Sequence, residues 1–250
     1  MNDDGALNLA ASARFSAGTL RVQAGDLLTR FRRPPRADLA APAEPPDSRL
    51  ARDILALATE AYSPALLGHC QRCWYWADTF ARIDGVRYDP ELLYAACLLH
   101  DIALGGPDVP ASCFAVHGAH LAQQRLHDWG LPDDFAATVA EAITLHMNPR
   151  VSLREGPEAH LLHAAAHLDV AGTRAVQIPR TRLREVIARH PRDGFADDFG
   201  RRFRHEAAVR PRSRAAVAWR LGMRVPLRLN PLNRRTGPAD QIIPWLEKLR

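Results

Sequence analysis

Apolar residues recur at three- and four-residue spacings along most of the chain, and no stretch sustains the alternation of a strand. That period predicts helices throughout. Asp47 and Ser48, two good N-cap types, precede the stripe Leu50, Ile54, Leu55, Leu57 and Ala58. Pro64 then opens a helix carrying Leu66, Leu67, Cys70, Cys73, Trp74, Ala77 and Phe80, which stops near Asp84-Gly85. A third helix starts at Asp89-Pro90-Glu91 and runs to Asp101; it is apolar almost all round and therefore belongs in a core. A loop around Gly105, Gly106, Pro107 and Pro110 leads to helices over 114–129 and 133–146. Further helices fit 157–171, 180–189, 195–206 and 213–221. The fold class expected is all-α, with non-bundle packing rather than four long parallel helices.

The two ends break this pattern. Residues 1–46 contain Arg30-Phe31-Arg32-Arg33 and the prolines Pro34, Pro35, Pro42, Pro45 and Pro46, so they read as an extended or partly disordered arm. Ordering them costs about 1 kcal/mol or more per residue, and the arm should be dispensable for metal binding. The competing expectation is that Leu20, Val22, Leu27, Leu28 and Phe31 dock as a strand or helix over a site mouth or dimer seam. Residues 47–224 form the helical domain, and 225–250, with Pro226, Pro231 and Pro238, are an irregular tail until an apolar turn at 242–249.

Composition narrows the class without deciding it. The 250 residues are 47% hydrophobic, 24% charged and 7% aromatic, which excludes collagen-like, disordered and coiled-coil chains. No apolar run approaches the ~20 residues of a membrane span, and the acidic start Met1-Asn2-Asp3-Asp4 lacks a secretory n-region, so a cytoplasmic protein with no membrane partner is expected. Four cysteines make no disulfide framework. The net charge of +5 invites a nucleic-acid reading. Lys248 is the only lysine, however, and the arginine and alanine richness reflects a GC-rich coding sequence, so nucleic acid is disfavoured as a partner. The arginines of 201–214 read as a solvated face.

Candidate chemistry centres on His100-Asp101, which ends the most apolar helix and so delivers an imidazole and a carboxylate to the interior. A bound cation offsets the cost of burying that carboxylate; a helix-end cap or salt bridge is the plainer reading. His69 shares a helix face with Cys73, Trp76 and Phe80 and points inward. Asp169 lies in an alanine- and leucine-rich helix, either as an inward ligand or as a solvent-facing residue near the helix end. Cys70 and Cys73 lack a second cysteine pair and read as packing. His163 and His167 have metal-compatible spacing but point away from Asp169, and they read as surface or packing residues.

Together His69, His100-Asp101 and Asp169 form an H…HD…D arrangement that resembles the HD superfamily of metal-dependent hydrolases. Residues 65–172 resemble its core: His69-Cys70-Gln71-Arg72 is similar to "H-S-x-R", 98–104 to "L-L-H-D-I-G-L" and 142–146 to "A-I-x-x-H". Within it, residues 113–119 and 166–172 resemble segments of the cyanamide hydratase-like branch. Ala115 stands where that branch has an acidic residue, and Ala103 replaces the usual glycine.

The resemblance implies one divalent ion, zinc first with iron or manganese as alternatives, held by His69, His100, Asp101 and Asp169. It implies an enzyme, a hydrolase or hydratase, adding water to a small-molecule substrate, with homo-oligomers allowed. Asp101 and His146 are the catalytic candidates, His146 as orienter or acid/base against a plain helix-end histidine. Arg72 and His117 are the substrate-binding candidates, Arg72 alternatively forming a structural ion pair. Two further functions stay open: a nucleotide phosphohydrolase or phosphodiesterase, and a non-catalytic binding module using residues 195–224.

Overall fold

Helix starts follow the capping residues. Ser48 accepts from the Ala51 N–H to begin α2 (Arg49–Ala61), and Ser63 accepts from Leu66 N–H ahead of Pro64 to begin α3 (Pro64–Asp84). Asp89 accepts from the amides of Glu91 and Leu92 to begin α4 (Pro90–Leu99). The computed structural model describes residues 5–29, 41–106 and 112–233. Its other helices are α1 (Leu9–Thr29), α5 (Phe114–Asp128), α6 (Asp133–Leu145), α7 (Pro157–Ala171), α8 (Arg180–Arg189), α9 (Phe195–Val209), α10 (Arg214–Arg220) and α11 (Arg224–Leu229). Short 3-10 turns at Leu153–Glu155, Ala175–Gln177 and Pro231–Asn233 complete the order, and no strand occurs among the described residues. No described helix is long and apolar enough to cross a membrane.

The core forms where α3 packs along α7 and α4, with α5 and α6 paired beside them. α4 is buried from Leu93 to Leu99, as its all-round apolar pattern requires, so the chain emerges from it with His100 and Asp101 still inside. α3 buries Cys73, Trp74, Trp76, Ala77 and Phe80 and carries His69 on the same inner side. α9 closes the assembly with Phe195, Phe199 and Phe203 at four-residue spacing, all buried.

Two expectations at the ends need correction. Residues 9–29, expected to be extended, form α1, whose helix begins behind Asn8 with the Asn8 side chain accepting from Ala11 N–H. The prolines that suggested an arm all lie after it. Leu7, Ala11 and Phe15, four residues apart, are buried, α1 packs on α10, and the Leu7 N–H donates to the Arg212 carbonyl. That burial supplies the stabilisation a marginal helix lacks alone. Phe31 lies outside the described residues. Residues 41–47 are irregular but anchored, since Ala43 donates to Asp78 and accepts from the Trp74 indole.

At the other end, residues 224–233 are a helix and a turn rather than irregular chain. Pro226 falls in the first turn of α11, where its missing N–H costs nothing. Gly172 ends α7 at φ +76°, and a Cβ there would sit 2.8 Å from Pro231 Cδ; glycine lets the tail close onto the helix. Asn230 then donates to the carbonyls of Leu168, which also accepts from the Gly172 N–H, and of Asp169. The expected turn at 242–249 lies outside the described residues.

Candidate metal centre

Proton positions at the end of α4 follow from what each ring faces. His100 Nδ1 lies 2.9 Å from the Cys97 carbonyl, which can only accept, so the proton is on Nδ1 and Nε2 carries a bare lone pair. His69 Nδ1 lies 2.8 Å from Asp169 Oδ2 and is likewise the donor. His146, in the turn after α6, donates Nδ1–H to the Ile143 carbonyl. Three lone pairs therefore face inward.

They converge on Asp101. His69 Nε2 and His100 Nε2 are 3.2 Å apart, and Asp101 Oδ2 lies 3.6 and 3.5 Å from them. His146 Nε2 is 4.0 Å from Asp101 Oδ1. Asp101 Oδ2 is buried and makes no hydrogen bond. Inward-facing acceptors with only the weak Cys73 thiol donor beside them, 3.9 Å from His69 Nε2, repel one another unless something positive sits among them, and an orphaned buried carboxylate oxygen carries a large desolvation cost. Donors about 2.0–2.1 Å from a tetrahedral ion are about 3.3–3.4 Å from one another, close to the three spacings found here. The residues present thus fit a divalent cation. Buried His/Cys/Asp donors of this region also satisfy the spacing for one, with Cys73 beside His69 and His100, and Cys70 beside His100 and Asp101.

Asp169 is placed differently from expectation. It is fully buried, but it meets His69 at Nδ1, the ring edge opposite the cluster. Its oxygens are already taken: Oδ1 accepts from Arg72 Nε at 2.9 Å and Trp76 Nε1 at 2.8 Å and lies 2.8 Å from Arg192 Nη1, while Oδ2 accepts from Arg72 Nη2 at 2.9 Å and from His69. Burial alone would raise its pKa; Arg192 and Arg72, with His69, outweigh that and hold it well below the usual carboxylate range. Asp169 thus meets His69 from behind, while His100 Nε2 and Asp101 Oδ2 converge on its far edge.

Arg72 is buried beside Asp169. Four of its five N–H groups go to Asp169 and to the carbonyls of His190 and Pro191, with 0% exposure. The ion-pair alternative is the one the structure adopts. His117 is half-buried on α5, and the contacts that define the cluster around Asp101 come from His69, His100 and His146. Sequence reasoning missed Arg192 and Asn230, which lie in stretches with no motif, and it read Trp76 as apolar filling although its indole N–H holds Asp169.

Aromatic rings wall the cluster. Phe195 stacks on His69 at 4.8 Å between centroids, Phe199 meets it edge-on at 5.8 Å, and Phe114 meets His146 at 5.7 Å. Burial lowers the pKa of His100, opposed by Asp101, and lowers that of His146 well below normal, with His100 adding to the effect.

Neutral buried histidines make stability depend on pH. His163, on α7, is lowered to about 4 by burial, while its hydrogen bond to the His146 carbonyl acts the other way. Above the unfolded value of ~6.5 neither state holds the proton, and stability is level. As pH falls from there towards about 4, the unfolded chain takes up a proton that the folded one refuses. Unfolding free energy should drop by up to about 1.4 kcal/mol per pH unit for this residue alone. Urea midpoints at pH 7.5 and pH 5 test it, and equal midpoints would contradict the neutral assignment.

Comparison with known proteins agrees with this geometry. The family model of the HD domain matches residues 66–172. Two cyanamide hydratases of Saccharomyces cerevisiae, DDI2 and DDI3, are each 30% identical to this chain over 109 residues, covering 42% of it and 48% of the relative. The chain spans about half the length of the curated relatives it matches. The matched segment runs from two residues after Pro64, through the His100-Asp101 turn, to the glycine that ends α7, and so encloses the buried cluster and the carboxylate behind it; over these residues the chain is similar to HD domains.

Proposed function

We propose that the chain is a metal-dependent hydrolase or hydratase that adds water to a small polar molecule, with His69 Nε2, His100 Nε2 and Asp101 Oδ2 as the donors for one divalent ion. The observation that carries this is the orphaned Asp101 oxygen facing two bare imidazole lone pairs. Nitrogen and carboxylate donors suit zinc, iron and manganese. The chemistry such an ion supplies is polarisation of an electrophile and a fall in the pKa of water from ~15.7 towards ~7.

The chain's own residues do the rest. Asp169, gripped by Arg72 and Arg192, keeps the proton on His69 Nδ1 and so keeps Nε2 free to bind. The Cys97 carbonyl does the same for His100. His146 is neutral at pH 7, and its Nε2 lone pair next to Asp101 can accept a proton from a water in the site. Phe114, Phe195 and Phe199 exclude bulk water and favour a small substrate. With Arg72 turned inward, the phosphate partner that a nucleotide substrate needs is lost from the expected position.

A substrate screen tests the proposal. Protein stripped with chelator and reloaded with Zn²⁺, Mn²⁺ or Fe²⁺ should form urea from cyanamide or amide from a small nitrile, and the stripped protein should not. Metal-dependent phosphate release from nucleotides, with no hydration, would instead select the phosphohydrolase. On the binding-module reading, part of the basic face is paired internally, Arg201 and Arg202 with Asp198 and Arg210 with Glu206, while Arg204, Arg212 and Arg220 are exposed.

A further inference from the structure

His163 and His167 stand four residues apart on one face of α7, half-buried, with ring centroids 4.1 Å apart. His163 Nδ1 lies 3.1 Å from the His146 carbonyl, and the His146 backbone also lies close enough to act on His167 electrostatically. A carbonyl only accepts, so His163 carries its proton on Nδ1. That ring is thereby fixed in one tautomer and one orientation, with a bare lone pair on Nε2, and the His167 ring stands beside it. A metal-binding histidine is usually prepared in this way, by donating its second N–H to a backbone carbonyl. Burial holds both rings neutral near pH 7, the form that binds cations. The Glu155 carboxylate is close enough to act on His163 electrostatically, adding negative charge on that side.

We infer that His163 and His167 form a second metal site, a two-imidazole chelate for a nitrogen-preferring divalent cation such as Cu²⁺, Ni²⁺ or Zn²⁺, with water in the remaining positions. Two imidazoles on one helical turn are the donor pair of helical zinc sites, and with only two protein donors the site should bind more weakly than the buried centre. It lies on the other side of His146 from Asp101: the His146 backbone carbonyl meets His163 while its ring faces Asp101. Its occupant would lock the carbonyl side of the turn whose side chain faces Asp101. The site stands on the α7 geometry and does not need the proposed centre to be right.

Equilibrium dialysis of the full chain against free Cu²⁺, with electron paramagnetic resonance of the bound ions, tests it. The wild type should hold two ions, and His167→Gln one, with the two-nitrogen hyperfine pattern of the weaker ion lost. His163→Gln should repeat that loss, which guards against a misfolded single variant. His100→Ala should also hold one ion, but keep the weaker ion's signal. A count unchanged by both His167→Gln and His163→Gln overturns the second site. One ion in the wild type, lost in His167→Gln and untouched by His100→Ala, supports the second site while removing the buried centre.

Discussion

Asp101→Asn should abolish tight metal binding and yet make the metal-free protein more stable. The carboxylate oxygen Oδ2 faces His69 Nε2 and His100 Nε2, with no donor among them. An amide has the same shape, carries no charge and donates two N–H bonds to such lone pairs. Relieving an unsatisfied buried acceptor and a buried charge together is worth about 1–3 kcal/mol. The wild type instead gains its stability from the ion: about 4 kcal/mol at a thousandfold excess over Kd. For a domain of this size that is a Tm rise of roughly 8–16 °C, absent in the variant. Elemental analysis after dialysis and calorimetry with and without chelator measure both halves. Near-stoichiometric tight metal in Asp101→Asn, or a metal-free variant less stable than the metal-free wild type, would contradict the acceptor-only centre.

Arg72→Met should be among the most destabilising single changes in the chain. It strips Asp169 of a bidentate partner while leaving the carboxylate fully buried, with Arg192, Trp76 and His69 as the remaining contacts. Breaking a buried ion pair by removing one partner costs about 3–5 kcal/mol. The corresponding fall in Tm is roughly 6–20 °C. Arg201→Ala, which breaks an exposed pair with Asp198, should cost no more than about 1 kcal/mol. Thermal unfolding of the two variants side by side separates them. A loss below about 1 kcal/mol for Arg72→Met would show that Arg192, Trp76 and His69 hold Asp169 without it.

The helical reading and the HD pair were legible because they depend on local pattern. The caps Ser63 and Asp89 set the starts of α3 and α4, first-turn prolines mark α3, α4 and α7 at Pro64, Pro90 and Pro157, and the apolar run of α4 forced His100 and Asp101 inward. What could not be read depends on distant pairing. Nothing in the Asp169 segment indicates that Arg72, 97 residues earlier, and Arg192 saturate it, so it looked like a free ligand and Arg72 like a free cation. α1 was missed for a related reason: its composition is marginal for a helix, and the surface on α10 that receives Leu7 and Phe15 lies some 200 residues away along the chain.

The grip of Asn230 on the end of α7 has a consequence for how the protein is made. Its side chain holds the carbonyls of Leu168 and Asp169 from 62 and 61 residues further along the chain. A ribosome adding 5–20 residues per second therefore exposes the HD segment for several seconds before its last stay is synthesised. During that interval His69, His100 and Asp101 are present without the carboxylate support fixed in place. An ion that reaches the nascent chain in that interval would meet loose histidines, and selective loading of the proposed centre would follow the synthesis of Asn230.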